Sequence, residues 1–172
     1  MKRLLLILLS VTLVMTMLVS CNTAADTSDE ENTNNKEAKT FADFNYKNTA
    51  IKIGSDSKDI VNKLGEPLKT ESFDAGCGDS TPGYIYAYSG FEIRTNPVDG
   101  VDTVDKIVIL SDLVSTTEGA HIGMKSSEIT KIYGEPSAKS EEIIRYTNAN
   151  TILQFDLNSE KTVISITYKP TN

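Results

Sequence analysis

An internal repeat constrains the fold of this chain more than any other feature of its sequence. Seven residues occur twice, 69 positions apart and without a gap: Ile53-Gly54, Ser57, Ile60 and Gly65-Glu66-Pro67 recur as Ile122-Gly123, Ser126, Ile129 and Gly134-Glu135-Pro136. Self-similarity at a fixed spacing is typical of a chain built from copies of one supersecondary unit. We therefore expect two tandem copies of one unit.

Each copy of the repeat predicts a short helix. One helical face is apolar, formed by Ile60, Val61 and Leu64 in the first copy and by Ile129, Ile132 and Tyr133 in the second. Asp56 is the expected N-cap of the first helix, whereas Lys125 occupies the matching place in the second, so that Ser126 is a candidate cap there. Gly65 and Gly134 suit a left-handed residue that ends a helix, and the following proline prevents its continuation.

Three strands are predicted after each helix. They span Tyr84–Tyr88, Phe91–Thr95 and Val104–Leu110 in the first copy, and Glu142–Tyr146, Thr151–Leu157 and Thr162–Tyr168 in the second. The expected fold class is α+β, with two tandem repeats, each a short helix or helix pair packed on a three- to four-stranded antiparallel sheet. Repeat 1 is expected at 43–113 and repeat 2 at 114–172, with the helix on one sheet face and solvent on the other.

The first 20 residues predict a signal peptide. Lys2 and Arg3 precede an uncharged run from Leu4 to Val19, which is shorter than the roughly 20 apolar residues of a spanning helix. An uncleaved N-terminal anchor is the alternative. Leu18-Val19-Ser20-Cys21 resembles the lipobox of bacterial lipoproteins, which implies a diacylglyceryl group on Cys21 and cleavage before it. Two acyl chains suffice for stable anchoring, on the outer face of the cell membrane or on the outer membrane of a two-membrane bacterium.

Residues 21–42 are predicted to be the lipidated cysteine and a disordered acidic tether, because one aromatic and no large aliphatic residue cannot offset the entropy of ordering. The whole chain has a net charge of −7. Removal of the leader, which contains Lys2 and Arg3 but no acid, would make the charge more negative still. An acidic domain repels nucleic acid and anionic headgroups, so no nucleic acid is expected among its partners.

The sequence contains no motif that predicts catalysis, a cofactor or a metal site. Cys77 is the one cysteine besides the lipobox cysteine, and His121 is the one histidine. Asp99, Asp102 and Asp105 are spaced by three, which is not the spacing of an EF-hand calcium loop. We therefore predict that the protein is not an enzyme.

Tyr84, Tyr86 and Tyr88 share one face of their predicted strand, and Ile85 and Ala87 share the other. If the Ile/Ala face meets the helix, the tyrosines line the open sheet, where tyrosine suits an interface. The alternative is that the tyrosines fill the core.

We take these three tyrosines and Arg94 as candidate partner-binding residues. Two further candidates, Asp74 and Asp79, lie in the glycine-rich segment around Cys77, which has no counterpart of equal length in the second copy. A rim loop that contacts a partner is the functional interpretation of this segment. The alternative is a plain surface loop.

The Ile-Gly opening, the isoleucine six residues later, the Gly-x-Pro helix stop and the meander resemble the beta-lactamase inhibitor protein (BLIP)-like and SmpA/OmlA (BamE)-like superfamily. The resemblance covers nearly all of residues 50–169, and the duplication is similar to the BLIP arrangement. It implies a protein-binding surface of two adjacent sheets with loops at the rim. Inhibition of beta-lactamases is not expected, because the disulfides and tryptophans of BLIP-type inhibitors have no counterparts in this chain.

These observations lead to an expected function. The chain is predicted to be an extracytoplasmic lipoprotein that binds membrane lipid through Cys21 and binds a protein partner through an open antiparallel sheet face and rim loops. The alternative is an envelope-assembly or structural accessory lipoprotein without a single high-affinity ligand. Clustered exposed aromatic residues on the sheet would favour the first function, and a polar sheet face the second.

Overall fold

The computed structural model describes residues 39–76 and 82–171. The predicted signal peptide, Cys21, most of the predicted tether, Cys77 and Asp79 lie outside the described residues. The predicted disorder is wrong for residues 39–42, because Phe41 is buried in the core and its carbonyl accepts a hydrogen bond from the Asn148 amide at 3.1 Å. Twelve elements follow in the order β1 (Phe44–Tyr46), β2 (Thr49–Ile51), α1 (Ser57–Leu64), β3 (Lys69–Phe73), β4 (Gly83–Tyr88), β5 (Phe91–Val98), β6 (Val101–Ile109), α2 (Ser126–Tyr133), β7 (Ala138–Lys139), β8 (Ile143–Asn148), β9 (Thr151–Leu157) and β10 (Val163–Pro170).

Eight of the strands form a single antiparallel sheet in the order β3-β4-β5-β6-β10-β9-β8-β7. The strands that follow α1 occupy one flank, the strands that follow α2 occupy the other, and β6 pairs with β10 in the middle. The prediction of an α+β fold with antiparallel strands and two helices is confirmed at this level. The strands of both halves share one sheet, whereas the resemblance implied two sheets side by side.

Both helices begin and end close to the predicted residues. The Asp56 carboxylate accepts a hydrogen bond from the Lys58 backbone N–H at 2.9 Å, which confirms the predicted cap of α1. At α2 the expectation of a Ser126 cap is wrong, because Ser126 is the first helical residue. The N-cap position is held by Lys125, whose backbone N–H donates to the Glu128 carboxylate at 2.7 Å.

The glycines that end the helices have backbone angles which other residues rarely adopt. Gly65 has φ 83° and ψ −176°, and Gly134 has φ 79° and ψ −149°. The predicted positive φ is confirmed. Both ψ values lie near 180°, in a region used almost only by glycine, and not in the left-handed helical region.

The hydrophobic core lies on one face of the sheet, beneath the two helices and the β1–β2 hairpin. Ile60 comes from α1, Ile129 from α2 and Phe44 from the hairpin, and all three are buried. The Phe44 ring contacts Phe91 of β5 at 5.1 Å and Tyr168 of β10 at 6.0 Å between centroids, so the hairpin packs over the middle of the sheet.

Four short strands were not predicted from the sequence. The β1–β2 hairpin closes through Lys47 and Asn48, whose φ angles of 49° and 65° match a type I′ turn, but neither residue is the glycine that usually signals one. Every residue of β3 is exposed, so its polar sequence has no apolar face to predict a strand. The strand β7 has two residues, too few for any pattern.

The same backbone contacts recur beside both helices. The N–H of Gly54 donates to the Val104 carbonyl at 2.8 Å, and the N–H of Gly123 donates to the Val163 carbonyl at 2.9 Å. In each case the carbonyl belongs to the last strand of its flank, just before an unpaired bulge residue. The pairing of β5 with β6 omits Asp105, and that of β9 with β10 omits Ile164.

Candidate binding surface

The tyrosine row of β4 faces the helices. Directly opposite residues in an antiparallel pair point to the same side of a sheet. Tyr86 is opposite Ile93 of β5, and Ile93 is opposite Ile107 of β6, both of which are buried in the core. The placement of Tyr84, Tyr86 and Tyr88 on the open sheet is therefore wrong, because the Ile85/Ala87 side of the strand is the one that faces away from the helices.

The tyrosines are half-buried at the margin of the core. The Tyr88 hydroxyl donates to the Gly65 carbonyl at 3.2 Å, and the Tyr86 hydroxyl donates to the Asp102 carboxylate at 3.3 Å. Tyr84 stacks on Tyr86 with ring centroids 5.9 Å apart. Burial raises the pKa of Tyr88 and Tyr86, and the negative charge of Asp102 raises the Tyr86 pKa further. These contacts give Tyr88 a structural role at the end of α1 and Tyr86 one at its start.

A small polar cluster lies at the start of α1. The buried Ser57 hydroxyl donates to the same Asp102 oxygen that Tyr86 contacts. The other Asp102 carboxylate oxygen is buried and has no hydrogen-bond partner among the described residues. Asp102 is thus directed towards the helix, and no group of three or more potential metal ligands occurs in the described part of the chain.

The opposite face of the sheet is left open by the described elements. Arg94 lies here and pairs with Glu92 of the same strand at 3.1 Å. At the centre, Val108 and Thr167 are opposite each other and only 8% and 9% exposed, yet Val108 is not part of the core cluster. Long charged side chains on neighbouring strands can cover such residues with their aliphatic stems. The open face is therefore a charged layer over a small apolar patch.

Three further cations gather on the open face. The Arg145 Nε and the Lys169 Nζ both donate to the Gln154 Oε1, at 2.8 and 3.0 Å. Continuing the β6–β10 register by one residue places Lys106 opposite Lys169. Within the described residues, no carboxylate lies within 4.0 Å of Lys106, Arg145 or Lys169. We call these three residues the cation cluster.

Sequence reasoning missed the cation cluster because its members lie on three different strands. The pairing of β6, β10, β9 and β8 brings them together, and the pairing order of distant strands is not visible in local patterns. The alternation of polar and apolar residues along each strand could have assigned each cation to the outer face. It could not have shown that they are neighbours.

The predicted rim loop is described only in part. The Asp74 carboxylate accepts a hydrogen bond from the Gly76 N–H at 2.9 Å, a local contact that shapes the chain at this point. Asp79 and Cys77 lie outside the described residues. The contact role of Asp74 and Asp79 therefore stays a prediction.

Two hollows in the described surface are small. One has a volume of about 130 Å³ and is lined by Ala138, Lys139, Ser140, Ile143 and Arg145. The other, of about 180 Å³, lies near Ile53 and Pro170. Small-molecule sites are typically about 300–1,000 Å³, so neither hollow has the size of such a site. The first adjoins Arg145 and thus the cation cluster.

Comparisons with known proteins give little more. No protein-family model and no curated protein matches the chain. A solved structure similar to it is a cysteine-rich secretory protein from Staphylococcus aureus, with 15% identity and a TM-score of 0.48, covering 69% of this chain and 44% of that one. This chain thus spans less than half of the staphylococcal protein.

Two other solved structures are also similar. The DUF4309 family protein YjgB from Bacillus subtilis has 16% identity and a TM-score of 0.44, covering 68% of this chain and 79% of that one. The uncharacterized protein yfeY from Escherichia coli has 11% identity and a TM-score of 0.45, covering 77% and 99%. Likenesses at this level carry no inference about function. Within the described residues, no helix has the length and apolar character needed to cross a membrane.

Proposed function

We propose that this protein is an extracytoplasmic lipoprotein, held by lipid on Cys21 to the outer face of the cell membrane, whose folded part binds a protein. The support for export and anchoring is in the sequence: two cations, an uncharged apolar run and a lipobox-like Leu18-Val19-Ser20-Cys21. A diacylglyceryl group supplies the two chains that stable anchoring requires.

We further propose that the folded part consists of two tandem BLIP/BamE-like units. Three pairs of features support the duplication. The helices are related by the 69-residue spacing of the sequence repeat. Gly54 and Gly123 donate to equivalent strand carbonyls, and the bulge residues Asp105 and Ile164 directly follow those carbonyls. Independent strands have no reason to share both a hydrogen bond and a bulge at matching places.

The observation that carries the binding function is the open sheet face. All the described helices and the β1–β2 hairpin pack on the other side. The open face spans strands of both units and combines charged side chains with apolar ones beneath, a mixture that a non-obligate interface tolerates because such interfaces are about as apolar as the rest of a protein surface. Binding on this face needs no rearrangement of the core.

The binding function is tested with bulky substitutions on each face of the full-length lipidated chain. Thr147→Trp and Ser165→Trp together place two indoles on the open face. Ser127→Trp and Lys131→Trp do so on the exposed side of α2 as the matched control. Envelope proteins from the source bacterium are captured by each variant after circular dichroism has confirmed folding. We expect a partner that the parent and the control retain and that the open-face variant loses. Equal retention by all three would contradict the proposal.

Anchoring is tested separately, by growing cells with labelled palmitate. The parent chain is expected to take up label and to sediment with membranes, and Cys21→Ser is expected to do neither. An unlabelled parent chain would disprove lipidation at Cys21, although it would leave the sheet surface untouched.

A second candidate function is that of an envelope-assembly or structural accessory lipoprotein without one high-affinity ligand. The polarity of the open face favours this function. Phe73, whose ring packs against Gly83, is the single aromatic residue on that face among the described residues. Capture of many weakly held proteins, equally by the parent and by both tryptophan variants, is the result this function predicts.

A further inference from the structure

We propose that the partner of the open face presents a short acidic peptide segment, and that the cation cluster of Lys106, Arg145 and Lys169 binds its carboxylates. This inference rests on the proposed protein-binding function and names the chemistry of the partner. It arises from the arrangement of charges on the open face.

The geometry concentrates positive charge around one neutral acceptor. The Arg145 Nε and the Lys169 Nζ lie 2.8 and 3.0 Å from the same Gln154 Oε1. Two cations that share one amide oxygen repel each other, and a neutral acceptor relieves that repulsion poorly. A carboxylate oxygen near this position would accept from the same donors and would add the attraction of opposite charges, which the neutral amide oxygen lacks.

The cluster extends towards the middle of the sheet. Lys106 is opposite Lys169 when the β6–β10 register continues by one residue, and Arg94 is opposite Lys106 on β5. Adjacent strands are about 4.8 Å apart, so four cations follow one another over roughly 20 Å from β5 to β8. An extended peptide repeats its side chains on one face about every 6.8 Å, so two or three alternating acids match this row.

The charge balance of the chain makes this row unusual. The chain has 24 acidic and 17 basic residues, yet Lys106, Arg145 and Lys169 have no ion-pair partner within the described residues. Lys69 and Arg94, on the same face, are each paired with a neighbouring glutamate. Unpaired cations on an acidic protein provide local complementarity to an anion. The repulsion from the rest of the chain is screened beyond about 8 Å at physiological salt.

The surroundings of the cluster favour a short peptide over a long polyanion. Glu92 flanks the row on β5, and Asp156 follows Gln154 on β9 and accepts from its amide at 2.6 Å. These carboxylates would repel a polymer that carries charge along its whole length. The hollow of about 130 Å³ beside Arg145, lined by Ala138 and Ile143, can take an apolar side chain of the same peptide.

The test measures binding of a synthetic probe to the full-length lipidated chain in detergent. The probe is a fluorescent peptide of alternating glutamate and leucine with three glutamates, and its partner probe has glutamine in place of each glutamate. Three variants are compared with the parent: Lys106→Glu/Arg145→Glu/Lys169→Glu, the milder Lys106→Gln/Arg145→Gln/Lys169→Gln, and a control that reverses three exposed helix lysines, Lys58→Glu/Lys63→Glu/Lys131→Glu. The control changes the net charge by the same amount as the first variant.

We expect the parent and the control to bind the acidic peptide with similar affinity, weakening as salt is added. Binding should fall about tenfold or more in the two variants that replace the cation cluster by three glutamates or by three glutamines. The glutamine peptide should not bind. Failure of the parent to bind would overturn the inference, as would an equal loss in the control. Equally tight binding of inorganic phosphate or of phosphatidylglycerol vesicles at the cluster would also overturn it, because the site would then select phosphate and not a peptide.

The same variants separate this inference from the proposed function. If the native partner is lost from Thr147→Trp/Ser165→Trp but retained by both open-face charge variants, the open face binds a protein without using the cation cluster. The proposed function then survives, and the acidic-peptide inference fails. Loss of the partner from both the tryptophan and the charge variants supports the two together.

Discussion

The half of the domain built on α2 and the half built on α1 share their backbone contacts but differ in the side chains that pack around the helix ends. The last residue of α2, Tyr133, is 1% exposed, and its ring lies 5.1 Å from Tyr146 and 5.5 Å from Phe155. The corresponding residue of α1, Leu64, is only partly buried, and its neighbour Tyr88 is half-exposed. The second half therefore has buried aromatic packing at the end of its helix, where the first half has a looser margin.

The two halves also differ at the start of each helix. In the first half, the Ser57 hydroxyl donates to Asp102. Asp102 directly precedes Thr103, the strand residue that pairs with the helix cap Asp56. In the second, Lys161 stands at the equivalent place and forms a surface ion pair with Glu141. A buried, partly unsatisfied carboxylate is costly. We therefore expect the contacts at the ends of α2 to contribute more stability than the matching contacts at the ends of α1, where a polar group is tolerated.

Alanine substitutions at the ends of the two helices should have the largest effect on the free energy of unfolding, and they test this difference. Tyr133→Ala removes a buried aromatic ring and should lower the free energy of unfolding by about 3–5 kcal/mol, whereas Leu64→Ala should cost about 1–2 kcal/mol. Chemical denaturation of both variants measures the two losses. Equal losses in the free energy of unfolding would contradict the expected difference between the two helix ends.

Alkaline pH should act mainly on the second half. Burial raises the pKa of Tyr146 to about 12, and it raises that of Tyr168 and Tyr133 still further. The protonated hydroxyl is favoured by folding. Its contribution is therefore complete below the ordinary pKa of about 10 and is lost as pH rises through about 12, at about 1.4 kcal/mol per pH unit for each tyrosine.

Denaturation at several pH values between 9 and about 12 measures this loss. Tyr146→Phe should show a shallower slope by one proton. A stability that is flat above pH 10 would contradict the assigned burial.

Substitution of the helix-ending glycines should destabilise the two halves to a similar extent. Gly65→Ala and Gly134→Ala force a side chain into φ near 80° with ψ near 180°, at a cost of about 1–3 kcal/mol each. Thermal unfolding of both variants measures this cost. Gly100→Ala, at a turn glycine with a similar φ of 79°, is measured with them for comparison. Similar losses at Gly65 and Gly134 support a common backbone in both halves. A neutral Gly65→Ala would show that the first helix ends differently in solution.

The smallest expected effect concerns two matching hydroxyl contacts. The Tyr146 hydroxyl donates to the Gly134 carbonyl at 3.1 Å in a buried place, and the Tyr88 hydroxyl donates to the Gly65 carbonyl at 3.2 Å in an exposed one. Tyr146→Phe should cost about 1–1.5 kcal/mol and Tyr88→Phe about 0.5 kcal/mol, because water can replace the exposed contact. Urea denaturation resolves the pair, and a larger loss for Tyr88→Phe would reverse the order of the halves.

The sequence predicted those parts of the fold that depend on local chemistry. The repeat located both helices and the glycine stops, and Asp56 itself indicated the cap of the first helix, since each follows from residues close together in the chain. The faces of β4 could not be predicted, because tyrosine on one side and Ile85 and Ala87 on the other are both compatible with burial. Burial depends on the cross-strand partners, here Ile93, which only the pairing reveals.

The candidate surface was less predictable for the same reason. Arg94 could be assigned to the outer face by its alternation with buried Ile93. The convergence of Arg145 and Lys169 on Gln154 requires the register of β8, β9 and β10, which joins positions far apart in the chain. Strand β3 was not predicted from the sequence because its five residues are all exposed. The strand is held by its pairing with β4 and not by buried side chains.

Photo-crosslinking on intact cells of the source organism tests binding through the open sheet face most directly. A photoreactive residue is placed in the full-length chain at Glu71 or Thr147 on the open face, and at Lys58 or Ser127 on the helices as controls. We expect a discrete crosslinked protein from the two open-face positions and none from the helix positions. Crosslinks from the helix positions alone, or no crosslink from either open-face position, would contradict the claim that the open sheet face is where this protein binds its partner.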